Sequence, residues 1–479
     1  MRTTYTVASV VAFAVALFGS ASPVAQAPQP GPDVTFTKHI APILQRSCQR
    51  CHRPDGGAPM ALITYEQVRP WARSIKTRTG LGPRAGVMPP WFVEKNIGIQ
   101  GFKHDPSLSE AEIAAIAKWA DNGAPRGNPA DLPKPLDFSA TDKWAIGEPD
   151  LILESPEVVV PASGPDKWGS LGLVATGLTD DRYVSAVEVR EINDIPPAGS
   201  TNTVGGRYVF HHMTYSSIVA GDSAESSAAA EAEGTSWPIH EVGRNPDIFP
   251  LEAGRLLAKN SSLALSAYHL HSNGRETRAK LQFAFKFFPA GYKPQYRRST
   301  LRLGNGIDLD VKADQRNQEL HSYATLQEHT KIIAFEPHLH APGVRMCLEA
   351  IWGHNVLTLN CVGYDHNWVK QYVYEDDTAP LLPKGTIVHL IGFLDTTKEN
   401  RNLADSRNWA GGGRRSVSNM FIDLGYSVSL TEEQFQAEMA KRRAKMRSRN
   451  EYDIGCPLCW APPVQPATPT TNRAPGQQQ

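Results

Sequence analysis

Short apolar segments separated by turn residues dominate the chain from about residue 145 onward. Runs of Val, Ile, Leu, Tyr and Phe alternate there with Gly, Pro, Asn and Asp, as in RYVFHHMTYSSIV, AKLQFAFKFFP and TIVHLIGFL. This pattern predicts many short antiparallel strands, and helical periodicity is almost absent. Because about 300 residues of it exceed one ordinary sandwich, we expect two tandem antiparallel β-sandwiches, at 144–289 and 290–445.

The residues before this region carry a helical pattern instead. The apolar residues of FTKHIAPILQRSC share one helical face. In SLSEAEIAAIAKWADNG, Ser107 and Glu110 match a capping box and Gly123 ends the segment. We therefore expect a small all-α domain over 32–125, followed by a Pro-rich linker over 126–143.

Both ends of the chain are expected to lie outside the folded domains. An early Arg, an apolar run from about Val7 to Phe18 and small residues up to Ala27 are typical of a secretory signal peptide over 1–27. An uncleaved anchor helix is the alternative, because Pro28 is unfavourable just after a cleavage site. The tail over 446–479 ends in a Pro/Thr/Gln-rich stretch that we expect to be partly disordered.

Charge and hydropathy limit the binding partners and the cellular compartment that we expect for this chain. The chain has 49 basic and 49 acidic residues, a formal net charge of +0, and no basic stripe that would favour nucleic acid. No later apolar run is long enough to span a bilayer. We therefore expect a periplasmic or secreted protein with no membrane span once the signal peptide is removed.

Four of the six cysteines are candidates for disulfide bonds. Cys347 and Cys361 flank LEAIWGHNVLTLN, which has the pattern of a hairpin with its turn midway between them. They would therefore lie opposite each other and form a cross-strand disulfide. Cys456 and Cys459 form CPLC, which fits either a second disulfide or a small metal site.

The other two cysteines belong to CQRCH, residues 48–52. C-x-x-C-H is the signature of c-type haem attachment, in which Cys48 and Cys51 bond the haem vinyl groups and His52 binds the iron. The export signal, the helix leading into the motif and the helix closing the region favour this interpretation. A plain disulfide followed by a chance histidine is the alternative.

A haem iron held in this way needs a second axial ligand. Met88, in GVMPPW, is the preferred candidate, since a thioether raises the reduction potential and the prolines keep the loop rigid. Met60 is an alternative, but it is so close to His52 in sequence that reaching the opposite haem face is difficult. His39 is a weaker rival.

Histidines recur in three short segments of the β region, FHHMTY, YHLHSNG and EPHLHAPG. The residues are His211, His212, His269, His271, His338 and His340. Alternate residues of a strand share one face, so each H-x-H places two imidazoles side by side, as two ligands of one metal require. The adjacent pair can bind one ion only if its strand bends or ends there. Three such segments are hard to explain as core residues.

The ligand types narrow the choice of metal. These segments contain no H-E-x-x-H and no obvious carboxylate partner, and imidazole suits zinc or copper. Met420, in SVSNMF, offers a thioether that favours Cu(I). Core packing is the alternative role for this methionine.

With these motifs in place, the β region resembles the copper type II, ascorbate-dependent monooxygenases, the family of peptidylglycine α-hydroxylating monooxygenase and dopamine β-hydroxylase. The order of motifs agrees over about 145–430: an adjacent His pair, a lone-His strand, H-x-H and then a Met. YDHNWVKQY and LPKGT also resemble family segments. The resemblance implies two tandem jelly-roll-like sandwiches, each binding one copper, that face each other across a solvent-filled cleft. With its first region included, the chain resembles bacterial proteins that fuse a cytochrome c-like domain to such a module.

The resemblance also implies two ligand sets for two copper ions. The sets are His211, His212 and His269 for an electron-transfer copper, and His338, His340 and Met420 for a catalytic, oxygen-binding copper. His271 is an alternative to His269 as the third ligand of the first copper.

Three positions depart from the family. The peptide-amidating branch has an Arg two residues before its H-x-H, where this chain has Glu336. Its lone-His strand has a Gln where this chain has Ala267, and the Phe of Y-D-F-N-W is His366 here. A glycine-extended peptide is therefore a poor candidate substrate. Glu336 would either favour a cationic substrate or be a solvated charge at the strand end.

The function that the resemblance implies is hydroxylation of a C–H bond of a small organic substrate with O₂. The implied cofactors are two copper ions and haem c. Because both modules share one chain, we hypothesise that electrons from a redox donor pass through the haem to the His211/His212 copper. One alternative is a haem and copper electron-transfer protein without oxygenase activity. Another is a binding or scaffold module that kept the fold and lost one metal.

Overall fold

The protein is mostly β-sheet, with antiparallel pairing and a few helices, as the strand pattern predicts. The computed structural model describes residues 34–54, 56–138, 144–195, 207–219, 236–301, 303–306, 309–403, 405–409, 411–413, 418–449 and 455–459. No helix in these ranges combines the length and apolar composition needed to cross a membrane. The predicted signal peptide, linker residues 139–143 and the tail beyond 459 lie outside the described residues.

The described helices are mostly short and cluster at the N-terminal end. They are α1 (Ala41–Ser47), α2 (Tyr65–Val68), α3 (Ala72–Thr79), α4 (Glu110–Asp121) and, near the C-terminus, α5 (Glu432–Arg449). A π-helical turn (Phe36–Ile40) leads into α1, and 3₁₀ turns cover Arg69–Trp71 and Pro129–Asp131.

The strands fall into two consecutive regions. The first β region contains β1 (Leu151–Glu154), β2 (Val158–Val160), β3 (Lys167–Gly169), β4 (Gly172–Ala175), β5 (Arg182–Asn193), β6 (Phe210–Val219), β7 (His240–Glu241), β8 (Asp247–Ile248), β9 (Arg255–Leu257), β10 (Ser261–Leu270) and β11 (Thr277–Phe287). The second β region contains β12 (Arg297–Ser299), β13 (Gly304–Asn305), β14 (Gln318–Thr325), β15 (His329–Ile332), β16 (Ala334–Phe335), β17 (Pro337–Leu339), β18 (Gly343–Trp352), β19 (Asn355–Gly363), β20 (Tyr372–Val373), β21 (Leu381–Leu382), β22 (Ile387–Leu394), β23 (Phe421–Asp423) and β24 (Ser427–Leu430).

The N-terminal helices pack around a core of their own. Phe36, Ile40 and Leu44 are at most 1% exposed and share this core with Ile116 and Trp119 of α4. The apolar face predicted for FTKHIAPILQRSC is therefore confirmed as a buried face, and CQRCH follows directly after it.

Helix α4 begins two residues later than predicted. Its N-cap is Ser109, whose hydroxyl accepts the N–H of Glu112, while the Glu112 carboxylate accepts the N–H of Ser109. The prediction of a capping box at Ser107 and Glu110 was wrong, because the sequence holds two overlapping matches. Leu108 is buried just before the observed N-cap, where an apolar residue stabilises the entry into a helix.

The first β region forms two sheets that enclose one core. One sheet has the order β1-β11-β5-β8, with β2 beside β11 and β9 beside β5. The other has the order β3-β10-β6-β7, with β4 beside β10. Tyr215 of β6 meets Phe283 of β11 between the sheets, with ring centroids 4.8 Å apart. The two strands that carry the first histidines, β6 and β10, are therefore central neighbours.

The second β region is divided among smaller sheets. These have the orders β14-β22-β18-β19, β13-β23-β17 and β12-β24-β15-β21, and β16 pairs with β20. Leu339 of β17 and Phe421 of β23 lie fully buried in the core of this region. Val428 of β24 and Phe435 of α5 instead belong to the core of the first region. The predicted boundary near residue 289 therefore does not separate two closed cores.

Both CPLC and the hairpin contain disulfide bonds. Cys347 and Cys361 lie directly opposite each other on β18 and β19 and are bonded, which confirms the prediction. Cys456 and Cys459 are also bonded to each other. The alternative of a small metal site at CPLC is therefore wrong.

Part of the predicted all-α domain packs on the second β region. Trp91 is 6% exposed and contacts the ring of Tyr372, with centroids 4.9 Å apart. Glu94 forms an ion pair with Arg345 of β18. The loop over 91–102 therefore anchors the N-terminal helices to the second β region.

Candidate metal centre

A β-bulge brings the adjacent histidines to one side of β6. In the pairing with β10, His269 lies opposite His212, but Leu270 lies opposite Phe210, so His211 is an extra residue without a partner. A bulge of this kind bends a strand and redirects a side chain. The sequence predicted that both histidines can bind one ion only if their strand bends or ends there, and the bulge at His211 supplies this irregularity.

Three imidazoles gather at this bulge, and we call His211, His212 and His269 the first cluster. One ring nitrogen from each lies within 4.8 Å of the others. The ring of His271 is 5.9 Å from that of His211, and its Nε2–H donates to the carbonyl of Tyr208 at 3.0 Å. The structure thus favours His269 over His271 as the third member.

Hydrogen bonds outside the cluster orient two of its rings. Nε2 of His211 donates to the carbonyl of His366 at 3.0 Å, and Nδ1 of His211 is buried with no hydrogen-bond partner in the described part of the chain. Nε2 of His269 lies 2.9 Å from a carboxylate oxygen of Asp166, and Trp168 stacks on the same ring. A carboxylate behind a ligating histidine is common at metal sites. The sequence pattern did not indicate Asp166, which lies on another segment.

Burial keeps the first cluster neutral. It lowers the pKa of His211 to about 4, with the neighbouring His269 adding to the effect, and it lowers the pKa of His212 to about 3. Neutral imidazole is the form that binds a metal. The orphaned Nδ1 of His211 and the close spacing of the three rings therefore fit a copper or zinc ion.

A second cluster, His338, His340 and Met420, lies on and just after β17 and just before β23. The two imidazoles share one face, with centroids 5.5 Å apart, and Leu339 between them points into the core. Because Leu339 pairs with Phe421, Met420 comes next to His340 across the two strands. Nδ1 of His340 donates to the carbonyl of Ser418 at 3.1 Å, which leaves Nε2 for a ligand.

The two clusters abut each other. The ring of His366 is 4.7 Å from that of His211 and 6.2 Å from that of His340. Glu241 of β7 lies opposite His212, and its carboxylate is 2.8 Å from Nδ1 of His338. The solvent-filled cleft implied by the family resemblance does not separate the clusters, because buried His366 and Glu241 lie between them.

Glu336 belongs to the protein interior. It is 1% exposed, forms an ion pair with Arg244 and accepts a hydrogen bond from Gln371 at 3.1 Å. The alternative of a solvated charge at the strand end was therefore wrong. Its partner also gives no support to recognition of a cationic substrate.

The CQRCH segment, which the sequence predicts to be a haem attachment site, follows directly after α1. Cys48 and Cys51 are free thiols, whereas the other four cysteines are paired. The N–H groups of Cys51 and His52 both donate to the carbonyl of Cys48, which closes a helical turn after α1. Nδ1 of His52 donates to the carbonyl of Met60 at 3.1 Å, so Nε2 is the nitrogen left for iron.

The candidate second axial ligands lie in three different places. Met88 is 38% exposed, and its N–H donates to the carbonyl of Arg78 beside α3. Met60 packs on the core of the N-terminal helices, and Nδ1 of His39 accepts the N–H of Thr35. The assignment of Met88 stays a prediction.

The loop after CQRCH touches the first β region next to the histidines. A Cβ on Gly57 would lie 2.6 Å from the phenol oxygen of Tyr208, so a larger residue at this position would displace the Tyr208 side chain. The carbonyl of Tyr208 accepts the hydrogen bond from His271, as described above. A short series of contacts thus joins the proposed haem site to the edge of the first cluster.

Comparison with known proteins adds no relative to this picture. No protein-family model matches the sequence, and no curated protein matches it.

Proposed function

We propose that this chain is an exported, copper-dependent monooxygenase that hydroxylates a C–H bond of a small organic molecule and receives electrons through a covalently attached c-type haem. The proposed architecture is a cytochrome c-like domain followed by two jelly-roll-like sandwiches, as in the copper type II, ascorbate-dependent monooxygenases. When bound, copper would supply one-electron redox chemistry, so that R–H, O₂, two electrons and two protons yield R–OH and water.

One observation carries the proposal: the bulge in β6 that turns His211 and His212 toward His269. If His211 and His212 only packed in the core, β6 could keep a regular register with β10. A bulge that redirects a side chain is typical of functional sites, and the gathered nitrogens match the ligand set that the resemblance implies.

The second cluster is the proposed catalytic site. His338 and His340 would each offer one nitrogen, and Met420 would offer a softer sulfur donor. The carbonyl of Ser418 fixes the ring of His340. Burial of both imidazoles, at 9% and 4% exposure, excludes bulk water from the reaction.

Electrons are proposed to enter through the CQRCH segment. The supporting observation is the contact of Gly57 with Tyr208, whose carbonyl is bonded to His271 beside the first cluster. The first cluster lies between the Gly57–Tyr208 contact and His338. We therefore expect it to accept electrons from the haem and to pass them to the second cluster.

The main alternative is a haem and copper electron-transfer protein without oxygenase activity. The burial of His338 and His340 favours it, because a substrate has to approach the catalytic metal closely. Both candidates require metal at the first cluster, and they differ in whether the second cluster reacts with O₂.

Metal analysis of the exported protein, with a visible haem spectrum, tests the proposal. We expect two copper ions per haem, and His338→Ala should lose one copper and all O₂-dependent oxidation while the haem spectrum stays unchanged. His354→Ala, at an exposed hairpin turn, is the matched control. One copper or none per haem in the wild-type protein contradicts the proposal.

Rapid mixing of the fully reduced protein with O₂ tests the electron route. We expect the haem to be reoxidised in the wild-type protein and to stay reduced for much longer in His212→Ala. A haem that stays reduced while copper is reoxidised and product forms would show that electrons take another path.

A further inference from the structure

Glu241 is a buried acidic residue at the junction of the two clusters. It lies on β7, directly opposite His212 of β6, and is 1% exposed. Among the residues that the structure describes, neither of its carboxylate oxygens has a hydrogen-bond partner. A buried carboxylate without a partner is costly, so this position demands a cation or a donor.

The nearest group to this carboxylate is an imidazole nitrogen that also lacks a hydrogen bond. Oε1 of Glu241 lies 2.8 Å from Nδ1 of His338, yet the two atoms do not have hydrogen-bond geometry. Metal–nitrogen and metal–oxygen bonds of about 2.0–2.2 Å, at a right angle, place two ligand atoms about 2.9 Å apart. The observed separation therefore suits two ligands of one ion.

Arg244 attracts the Glu241 carboxylate electrostatically, but its side chain does not hydrogen-bond that carboxylate. Arg244 is committed to Asp247, at 2.8 Å, and to Glu336. Its only bond to Glu241 runs from its backbone N–H to the backbone carbonyl. The Glu241 carboxylate thus has no hydrogen bond with the Arg244 side chain and lies against the imidazole of His338.

We propose that Glu241 is a carboxylate ligand of the second metal centre, beside His338 and His340. This inference rests on the proposed function only in taking His338 as a metal ligand. A carboxylate makes the donor set harder than two imidazoles and a thioether, and so favours Cu(II) relative to Cu(I). It also ties β7 of the first β region to β17 of the second through one ion.

Titration of Cu²⁺ into the metal-free, haem-loaded protein tests this role, with electron paramagnetic resonance of the bound copper as a second readout. Glu241→Gln should weaken the second copper at least about tenfold, since even groups behind the ligands contribute that much to affinity. It should also change the spectrum of that copper alone. Glu349→Gln is the matched control, because Glu349 is hydrogen-bonded to His389 at 3.0 Å and lies away from both clusters.

The outcomes separate this inference from the proposed function. If His338→Ala loses a copper but Glu241→Gln keeps two with unchanged affinity and spectrum, Glu241 is only an ion-pair partner and the inference is wrong. If His338→Ala keeps every copper, the proposed second site itself is wrong. Should Glu241→Gln fail to fold, a copper-soaked crystal of the wild-type protein decides, with copper expected within about 2.2 Å of the Glu241 carboxylate. A copper clearly farther away overturns the inference.

Discussion

The two histidine clusters differ in how their rings are held. In the first cluster, the outer nitrogens of His211 and His269 are bonded to the carbonyl of His366 and to Asp166. In the second, only His340 is held in this way, by the carbonyl of Ser418, while Nδ1 of His338 faces Glu241 without a hydrogen bond. Outer hydrogen bonds thus hold two of the three rings of the first cluster and one of the two rings of the second.

This difference matches a division of labour. A site in which outer hydrogen bonds hold most of the imidazoles changes little between oxidation states, which suits a centre that only passes electrons. A site with a thioether, a carboxylate and a less constrained ring offers a mixed donor set that can accept another molecule. The asymmetry between the clusters therefore favours the same order of roles as the resemblance.

A second comparison concerns the backbone beneath each cluster. The Glu191 carboxylate accepts the N–H groups of Val209 and Phe210, which enter β6 just before His211. On the other side, Asp423 accepts the N–H groups of Glu336 and Gly425, next to β17. β6 is thus held by an acidic side chain from β5 of the opposite sheet, and β17 by one from the adjacent strand β23.

Removal of a first-cluster ligand is expected to have the largest effect. His212→Ala should lose one copper per chain and keep the second, because the clusters use different donors. Metal analysis and the copper resonance spectrum measure this, with His354→Ala as the control that keeps both ions. Loss of both ions would contradict the description of two separate sites, since it would mean that the clusters form one coupled site.

The acidic residue behind the second cluster should make stability depend on pH. Burial raises the pKa of Asp423 to about 7. Between about pH 4 and pH 7 the folded chain therefore holds a proton that the unfolded chain has lost, so the stabilisation is full below about pH 4 and is lost as pH rises through 7. Relative to Asp423→Asn, which cannot titrate, the wild-type protein should lose roughly 4 kcal/mol at most over this range.

Urea unfolding of the two metal-free proteins at several pH values measures this difference. The asparagine keeps an oxygen that can accept the N–H groups of Glu336 and Gly425, so the variant is expected to fold. A wild-type advantage that grows with rising pH would contradict the assigned sign.

Removal of the carboxylate behind His269 is expected to have a smaller effect. Asp166→Ala should weaken the first copper about 10- to 100-fold, because the ring of His269 loses its orienting acceptor. Copper titration of the metal-free protein measures this, and Asp131→Ala, at an exposed turn, is the control. If both variants bind the first copper with equal affinity, Asp166 does not preorganise the first cluster, and the proposed difference between the two clusters is wrong.

Local patterns predicted the parts of the site that lie on single segments. The two-residue period placed His338 and His340 on one face, and the adjacent pair implied an irregular strand, which the bulge supplies. The symmetric hairpin likewise predicted the Cys347–Cys361 bond.

The groups between and behind the clusters left no such signal. Asp166, Glu241 and Tyr208 reach the site from separate segments, and their meeting depends on strand pairing and on contacts between regions. The anchoring of Trp91 on the second β region is similar, since a burial pattern in a loop does not name its partner. Sequence periodicity describes one element at a time, so these contacts could not be predicted from it.

The smallest effect is expected at His366, whose ring lies between the clusters. His211 is bonded to the backbone carbonyl of this residue, which His366→Phe keeps. Both copper ions should therefore remain, with affinities changed by less than about tenfold, the lower end of what an orienting side chain contributes. Copper content and the resonance spectrum check this. If the variant loses an ion, the imidazole of His366 is itself a ligand, and the two clusters share a donor and cannot act as independent sites.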